Sequence, residues 1–489
     1  MKLTTILALT LSFHASAYTT ANSPIRETHI GPDANKDWDA EESAITLNTQ
    51  NNEYYTVFEA TQSITGTGIN LSTEVEIYAQ RINATTGSSI GSPARISQMG
   101  PDGDTTFDAR NPDVVYNPSA NEYLVVWYGD TNVGGVIEGE FEIWGKRINA
   151  ANGQAIGSQF RISDMGPFAN RAYDAIDPVV AYNSINNNYL VVWRGEEGTA
   201  PNAIGEFEIY GQQISAAGTE IGANDFRISD MGPNASGLYD AYSPEITYNR
   251  NSNEFLVVWY GDDNLGGHVS GEFEIYGQRI NASSGAQVGN NDFLISETGV
   301  PGFATRAAQY PRVTWNSSLN QYLVVWSADP ATNGNVGNEF EIYGQTLSST
   351  GTQIGADDFK ISNMGPIGNN NFDAFKPDVA YFPSQNAYAV AWRGDTAVDG
   401  EFEIYYQIIN QSNQSHMEPT DMRITHAGPD GSLLYDARRV SLVANNSNNS
   451  IQAIWEQEDQ NASQILGELE LYSAKISQNN DIIFKDGFQ

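Results

Sequence analysis

Short apolar runs, separated by clusters of Gly, Asn, Asp and Ser, follow one another along almost the whole chain. In one stretch, apolar and β-branched residues dominate 112–116, 123–128, 140–148 and 160–163, and turn-forming residues lie between them. The run 123–128 (YLVVWY) is apolar at successive positions, which is typical of a strand covered on both faces. Runs of this length and composition predict β-strands. No segment shows the periodicity of an amphipathic helix, so the chain is predicted to be all-β.

The four runs recur together as a sequence repeat. Each copy contains a Glu-x-Glu pair followed by an apolar and an aromatic residue, and the pairs begin at Glu74, Glu140, Glu206, Glu272, Glu339, Glu401 and Glu468. Successive pairs are 62 to 67 residues apart. An Asp-Ala pair opens most copies, whereas the fifth has Arg306-Ala307. Seven copies of a four-stranded antiparallel unit predict a seven-bladed β-propeller, and a β-solenoid is the alternative.

The two ends of the chain favour the propeller. The seventh copy lacks a fourth strand, and residues 25–32 align with residues 160–167, which include the fourth strand of the second copy. We therefore expect an N-terminal strand at residues 25–30 to complete the last blade. Such a strand closes the ring and removes an exposed sheet edge. An open solenoid has no need of a split repeat.

The N-terminus has the features of a secretory signal. Lys2 supplies a positive charge, residues 3–13 are mostly apolar, and Ala15-Ser16-Ala17 is a small-x-small cleavage site, so the mature chain is expected to begin at Tyr18. We predict a signal peptide at 1–17, the closing strand within 18–37, the propeller at 38–478 and a tail at 479–489. The expected location is extracellular or at the cell surface, with the periplasm as an alternative. No later run is long enough to span a membrane, and the chain has no cysteine.

The chain is strongly acidic, with 24 basic and 60 acidic residues and a net charge of −36. This charge repels phosphate backbones and makes nucleic acid an unexpected partner. Because strands alternate in direction, the Glu pairs and the loop acids are predicted to lie on one face of the ring. We expect that acidic face to attract cations.

The paired glutamates are candidate metal ligands. Two residues apart on one strand, their side chains point the same way, ~7 Å apart, and repel each other by roughly 2 kcal/mol. One interpretation is structural, with bonds to backbone N–H groups and to a basic residue of strand four (Arg26, Arg95, Arg161, Arg227, Lys360 or Arg423, but Leu294 in the fourth blade). Calcium is the second and direct ligand binding the third. The metal candidates are Asp130, Glu140, Glu142, Glu206, Glu208, Asp262, Glu272 and Glu274.

No catalytic constellation is recognisable. The histidines show no zinc spacing, and neither a Gly-x-Ser-x-Gly elbow nor a phosphate-binding loop is present, so no catalytic or cofactor-binding residue is assigned. The repeat departs from its pattern at Arg306, at His268, and at Arg194 and Arg393, which follow the strand-two tryptophan.

The repeat resembles one common in large secreted bacterial proteins. The motifs that carry the likeness are PxVxY, YLVVW, GEFEIYGQRI and FRIS, which recur over nearly all of the chain after residue 17. The resemblance implies an extracellular propeller-like module of the kind attached to adhesins and calcium-binding proteins. The leading functional prediction is a secreted, monomeric, non-enzymatic protein that binds a polysaccharide or a cell-surface protein. The alternative is a polysaccharide-active hydrolase or lyase with its site at the acidic channel mouth.

Overall fold

The chain folds into a ring of four-stranded antiparallel sheets. The computed structural model describes residues 18–20, 24–28, 39–61, 74–102, 104–133, 135–167, 169–197, 205–233, 236–264, 267–298, 302, 307–330, 339–366, 368–396, 398–429, 431–458 and 469–478. Within these ranges the only helical segment is the 3₁₀ turn Pro383–Gln385. No described helix is long and apolar enough to cross a membrane. The predicted signal peptide (1–17) and tail (479–489) lie outside the described residues.

Two short strands, β1 (Tyr18–Thr20) and β2 (Ile25–Arg26), precede the first complete blade. Blades 1 to 3 contain β3 (Ala40–Asn48), β4 (Glu53–Thr61), β5 (Val75–Asn83), β6 (Ser89–Arg95), β7 (Ala109–Asn117), β8 (Glu122–Gly129), β9 (Glu142–Asn149), β10 (Gln154–Arg161), β11 (Ala175–Asn183), β12 (Asn188–Gly195), β13 (Glu208–Ser215) and β14 (Glu220–Arg227). Blades 4 to 6 contain β15 (Ala241–Asn249), β16 (Glu254–Gly261), β17 (Glu274–Asn281), β18 (Gln287–Leu294), β19 (Ala308–Asn316), β20 (Gln321–Ala328), β21 (Glu341–Ser348), β22 (Gln353–Lys360), β23 (Ala374–Phe382), β24 (Ala387–Gly394), β25 (Glu403–Asn410) and β26 (Met422–Arg423). Blade 7 contains β27 (Ala437–Asn445), β28 (Ser450–Glu458) and β29 (Leu469–Gln478).

The seven-bladed propeller predicted from the repeat is confirmed. In each complete blade the four strands pair in chain order. The first strands of neighbouring blades contact one another around the ring, and β27 contacts β3 to complete the circle. The first strands therefore surround a central channel, and the fourth strands form the outer rim.

The N-terminal strand closes the last blade as predicted. Ile25 and Arg26 of β2 pair with Ser473 and Tyr472 of β29. The closure also extends further than predicted, because β1 pairs with the far end of β29, with Tyr18 opposite Gln478. Residues 29 and 30 of the predicted strand lie outside the described residues.

Strand two supplies the apolar layer between blades. Side chains Tyr123 to Trp127 of β8 are all fully buried, which agrees with the unbroken apolar run in the sequence. The Trp127 indole N–H donates to the sulfur of Met99, which precedes the blade, at 3.4 Å. The same contact recurs at Trp259 with Met231 and at Trp392 with Met364. Neighbouring blades are thus joined by a repeated packing unit of apolar and aromatic side chains.

The fourth strand begins earlier than predicted. Residues 149–158 were expected to form a turn, whereas β10 begins at Gln154 and contains a bulge between Ile156 and Phe160. Its first half is mostly exposed. The first half of an exposed outer strand needs no alternation of apolar and polar residues, so the sequence carried no signal for that half of β10.

The register of the fifth copy also differs from the prediction by one residue. Asp130 N–H donates to the carbonyl of Asp108 in the second blade, and Asp329 N–H donates to the carbonyl of Ala307 in the fifth. Ala307 therefore occupies the position of the repeat aspartate, and the assignment of Arg306 to it was wrong. Arg306 itself lies outside the described residues.

Every inner strand contains a bulge near the acidic end of the channel. One residue of each bulge has φ between 35° and 55°: Glu42, Asn111, Asp177, Ser243, Tyr310, Lys376 and Arg439. Non-glycine residues rarely adopt this left-handed conformation, and bulges often re-aim a side chain near a functional site.

Candidate functional site at the channel mouth

The predicted acidic residues lie on the expected side of each blade but do not form an open surface. The eight candidates, Asp130, Glu140, Glu142, Glu206, Glu208, Asp262, Glu272 and Glu274, are at most 3% exposed. The eight predicted acids are therefore buried beneath that face rather than displayed on it. Their carboxylates lie between the strand ends and the loops and are largely engaged by donors of the protein itself.

The second glutamate of each pair joins strand three to the end of strand four. Glu142 accepts hydrogen bonds from the Ser163 hydroxyl and, at 3.0 Å, from the Met165 N–H. Glu208 accepts from Ser229, from the Met231 N–H and from Arg227. Burial raises the pKa of both Glu142 and Glu208 to about 8. For Glu208 the geometry is that of the structural interpretation, with the strand-four base Arg227 as partner.

The remaining candidates mostly anchor loops. Asp130 accepts from the N–H of Asp108 at 2.9 Å and of Gly139 at 2.7 Å, and Asp262 repeats this with Asp240 and Gly271. Glu140 accepts from the Ile137 N–H at 3.1 Å. Glu206 lies 3.7 Å from Arg227.

The fourth blade departs from this pattern. Leu294 replaces the base, and Glu274 instead accepts from Ser296 and Thr298. Nδ1 of His268 lies 3.1 Å from Oε1 of Glu272. Ligand atoms of His268, Glu272 and Glu274 lie within 4.8 Å of one another, so a cation, if one binds among the eight candidates, has its most suitable donor set here.

Among the positions that differ from copy to copy, two lie together at the channel end of each blade. One is the left-handed bulge residue. The other follows the aromatic residue of strand two, and its seven occupants are Glu59, Tyr128, Arg194, Tyr260, Ser327, Arg393 and Glu456. The two positions are hydrogen-bonded between neighbouring blades: the N–H of Asn111 donates to Glu59, and that of Glu42 donates to Glu456. A ring of variable side chains thus surrounds the channel mouth.

This ring borders two adjoining cavities. The larger, about 450 Å³, follows the channel and is lined by Arg194, Tyr242, Tyr260, Tyr310 and Lys376 among others. The smaller, about 350 Å³, is lined by Glu41, Glu42, Lys376, Arg393, Asp436, Arg438, Arg439 and Glu456. Glu42, Lys376 and Arg439 border both cavities, so the two form a continuous depression.

Two carboxyl groups of the smaller cavity have different surroundings. Glu456 is 4% exposed and accepts from the Glu42 N–H at 2.6 Å. Burial raises the pKa of Glu456, while Arg439 opposes the rise. Glu41 is partly exposed, and its carboxylate has no hydrogen-bond or ion-pair partner among the described residues. The surroundings of Glu456 therefore favour its protonated form, whereas Glu41 is open to the cavity without a direct partner.

Cations and aromatic rings complete the depression. Arg194 lies over the Phe207 ring, 3.9 Å from its centroid, and over that of Tyr242. Tyr242 stacks on Tyr260, which meets Tyr310 edge-on. In the smaller cavity Arg393 lies 3.8 Å from the centroid of Phe402.

Deeper in the channel, charged side chains pair with one another. Arg312 forms an ion pair with Glu245 at 2.8 Å and lies 3.9 Å from Asp378. Asp378 also accepts from the Leu442 N–H, and Asp113 accepts from the Val180 N–H. These groups link first strands across blades and line the channel below the mouth.

Sequence reasoning found part of this site. Arg194 and Arg393 were singled out because they interrupt the repeat, but Glu41, Lys376 and Glu456 were not. These residues can be identified by aligning the seven copies. The residue type then varies at the positions that follow Asp-Ala and at the position that follows the aromatic residue of strand two.

Comparison with known proteins identifies no family: neither a family model nor a curated protein matches the chain. Solved structures of similar fold do exist. A PL25 ulvan lyase bound to -[GlcA(1-4)Rha3S]- is 9% identical, with 93% of this chain and 95% of that one covered and a TM-score of 0.50. The GH93 α-L-arabinofuranosidase of Fusarium graminearum is 10% identical (80% and 98% covered, TM-score 0.46). The NanB sialidase of Streptococcus pneumoniae is also 10% identical (94% and 71% covered, TM-score 0.45). At these identities the similarity shows a shared fold, one that includes carbohydrate-active enzymes.

Proposed function

We propose that the protein is an exported enzyme that hydrolyses glycosidic bonds of a polysaccharide at the channel mouth. The observation that carries the proposal is the pair Glu456 and Glu41, two carboxyl groups of unlike environment on one cavity. Glycoside hydrolysis needs one carboxyl group that donates a proton and a second that is ionised.

Glu456 has the features of the general acid. It is buried, its pKa is raised, and the Glu42 N–H fixes its carboxyl group at 2.6 Å. Arg439, ion-paired to Glu42, holds that segment in place. A protonated carboxylic acid at this point can deliver its proton to the oxygen of the leaving sugar.

Glu41 has the features of the second carboxylate. It lines the same cavity, and no described residue donates a hydrogen bond to it or forms an ion pair with it within 4.0 Å. An ionised carboxylate there can activate water or attack the anomeric carbon directly. The tyrosines of the adjoining cavity offer apolar faces and hydroxyl groups to further sugar units.

The fold supports the proposal only in a general way. The ulvan lyase acts on a polysaccharide from a propeller of similar architecture. Propellers host many unrelated activities, so the residues at the mouth, rather than the likeness, support the proposal.

The test is product release from a panel of neutral and acidic polysaccharides, followed by new reducing ends and by unsaturated products. The wild-type protein is expected to release reducing ends from at least one polymer. Glu456→Gln and Glu41→Gln are each expected to lower the rate by about 100-fold or more. Activity should also fall as pH rises through the raised pKa of Glu456, because the acid then loses its proton.

Glu59→Gln is the matched control. Glu59 occupies the Glu456 position in the first blade, is also buried and accepts the Asn111 N–H at 2.8 Å, but it does not line the smaller cavity. The activity of this variant is expected to stay near wild type. Unsaturated products would show that the glycosidic bond is broken by elimination rather than by hydrolysis. Binding without any product would favour the non-enzymatic interpretation.

A further inference from the structure

Three cations at the channel mouth have no carboxylate oxygen within 4.0 Å in the part of the chain that the structure describes. Most arginines of the described residues lie within 4.0 Å of an Asp or Glu, for example Arg81 with Glu53 and Arg147 with Glu122. By contrast, no described carboxylate lies that close to Arg194, Lys376 or Arg393. In a chain with 60 acidic and 24 basic residues, such cations gathered at one place call for a specific explanation.

Aromatic rings hold these cations in position. Arg194 rests on Phe207 and Arg393 on Phe402, at 3.9 and 3.8 Å from the ring centroids. Lys376 lies 5.4 Å from the centroid of Tyr310. Nε of Arg194 and Nε of Arg393 are buried without a hydrogen-bond partner among the described residues. Cation–π contacts fix a guanidinium group while leaving its in-plane N–H donors free for another group.

The positions of the cations are not required by the fold. Where Arg194 and Arg393 stand, other blades have Tyr128, Tyr260 or Ser327. Burial lowers the pKa of Lys376 and of Arg393, so keeping a charge at either site costs stability. A bound anion would offset that cost by adding a partner in direct contact.

The location of the cations matches the proposed active site. Arg393 lines the smaller cavity together with Glu456, Arg194 lines the larger one, and Lys376 borders both. The three cations therefore surround the same depression as the two carboxyl groups, where a polymer undergoing cleavage would lie.

We infer that the channel mouth binds an acidic polysaccharide, whose carboxylate or sulfate groups are held by Arg393, Lys376 and Arg194. The inference rests on the proposed function, because it names the substrate class of the same site. The net charge of −36 repels a polyanion from most of the surface. Binding of such a polymer would therefore depend on this local group of cations rather than on general attraction.

The test compares a charged polymer with its neutral form. Polygalacturonate, fully methyl-esterified polygalacturonate, chondroitin sulfate and dextran are titrated by calorimetry into the Glu456→Gln variant, which should not degrade them. If polygalacturonate binds more tightly than its methyl ester, the site is assigned to carboxylate groups. If chondroitin sulfate binds more tightly than polygalacturonate, the site is assigned to sulfate groups. Arg393→Gln and Lys376→Gln are each expected to weaken binding of the preferred anionic polymer about ten-fold or more, with little effect on dextran.

Arg147→Gln is the matched control, because it removes the same charge from an ion pair with Glu122 away from both cavities. Melting temperatures of all variants check that they fold. Equal binding of charged and neutral polymers, no binding of any polymer, or no effect of Arg393→Gln would overturn the inference. Anionic binding without cleavage by the wild-type protein would overturn only the hydrolase proposal, and cleavage confined to neutral polymers would overturn only the substrate class.

Discussion

The backbone nitrogen of Tyr18 lies 2.6 Å from a carboxylate oxygen of Glu418, in the neighbouring sixth blade. Both residues are buried, and the Tyr18 carbonyl accepts from the Tyr406 hydroxyl at 3.2 Å. Tyr18 is also the residue at which the sequence predicts that the mature chain begins. In a chain cut there, this nitrogen is a charged ammonium group, and the contact becomes a buried ion pair.

We expect Glu418→Gln to destabilise a chain that begins at Tyr18 by about 2 kcal/mol, because a charged hydrogen bond is lost. In a chain with one glycine added before Tyr18, the nitrogen is a neutral amide, and the same substitution should cost less. Thermal unfolding of the four proteins measures the difference as a double-mutant cycle. Equal losses in the two backgrounds would show that the ammonium charge has no role.

A second prediction concerns closure of the ring. Deleting residues 18–32 removes β1 and β2 and leaves β29 as an open edge. It also removes Arg26, which lies 2.5 Å from the buried Glu470, and breaking a buried pair in this way costs about 3–5 kcal/mol. We therefore expect the whole ring to unfold at a much lower Tm than in the parent protein. A truncated protein that melts like its parent would contradict the closure as a source of stability.

The repeated blade structure of this protein could be predicted because the sequence patterns that indicate it lie within short segments. The unbroken apolar run of β8 indicates a strand covered on both faces, and the match between residues 25–32 and 160–167 indicates a shared blade. Each depends on side chains that face a core or on a repeated motif. The four strands, the seven blades and the closure all follow from such signals.

The candidate site could be predicted only in part, because it depends on groups distant in sequence. Nothing in a Glu-x-Glu pair shows that the Met165 N–H and the Ser163 hydroxyl reach Glu142 and bury it. Nothing near Lys376 or Glu456 shows that they border one cavity. The bulges were also hidden, because residues such as Glu42 give no sign of a positive φ.

A third prediction tests calcium. Most of the eight candidate carboxylates already accept hydrogen bonds from N–H or O–H groups, so we expect millimolar Ca²⁺ and EDTA to leave Tm unchanged. A rise in Tm with Ca²⁺ would show that a metal binds the folded state. His268→Gln would then locate it, since loss of the rise would assign the ion to His268, Glu272 and Glu274.

The fourth prediction concerns aspartates that connect neighbouring blades. Asp225, Asp292 and Asp358 share one position in the bulge of strand four, and each accepts a backbone N–H of the preceding blade at 2.8 Å. Burial raises the pKa of each to about 7. In the second blade Gln159 holds the same position and accepts the Gln98 N–H at 2.9 Å. A neutral amide therefore serves equally well as the acceptor.

We expect the triple variant Asp225→Asn, Asp292→Asn, Asp358→Asn to be more stable than the parent at pH 8, by a few degrees in Tm. The folded parent holds protons that the unfolded chain releases above its ordinary pKa, near 4. Its stability therefore falls as pH rises from about 4 through about 7. Asparagine keeps the acceptor, tolerates a positive φ and has no proton to lose, so the gain should vanish near pH 4.

Thermal unfolding of parent and variant from pH 4 to pH 8 measures this difference. Asp357→Asn is the control, because Asp357 precedes Asp358 on the same strand and is exposed. It should show no comparable pH-dependent gain. A triple variant that is less stable than the parent at pH 8 would mean that the folded chain does not raise the pKa of the three carboxyl groups and that their negative charge strengthens the bonds to the preceding blade.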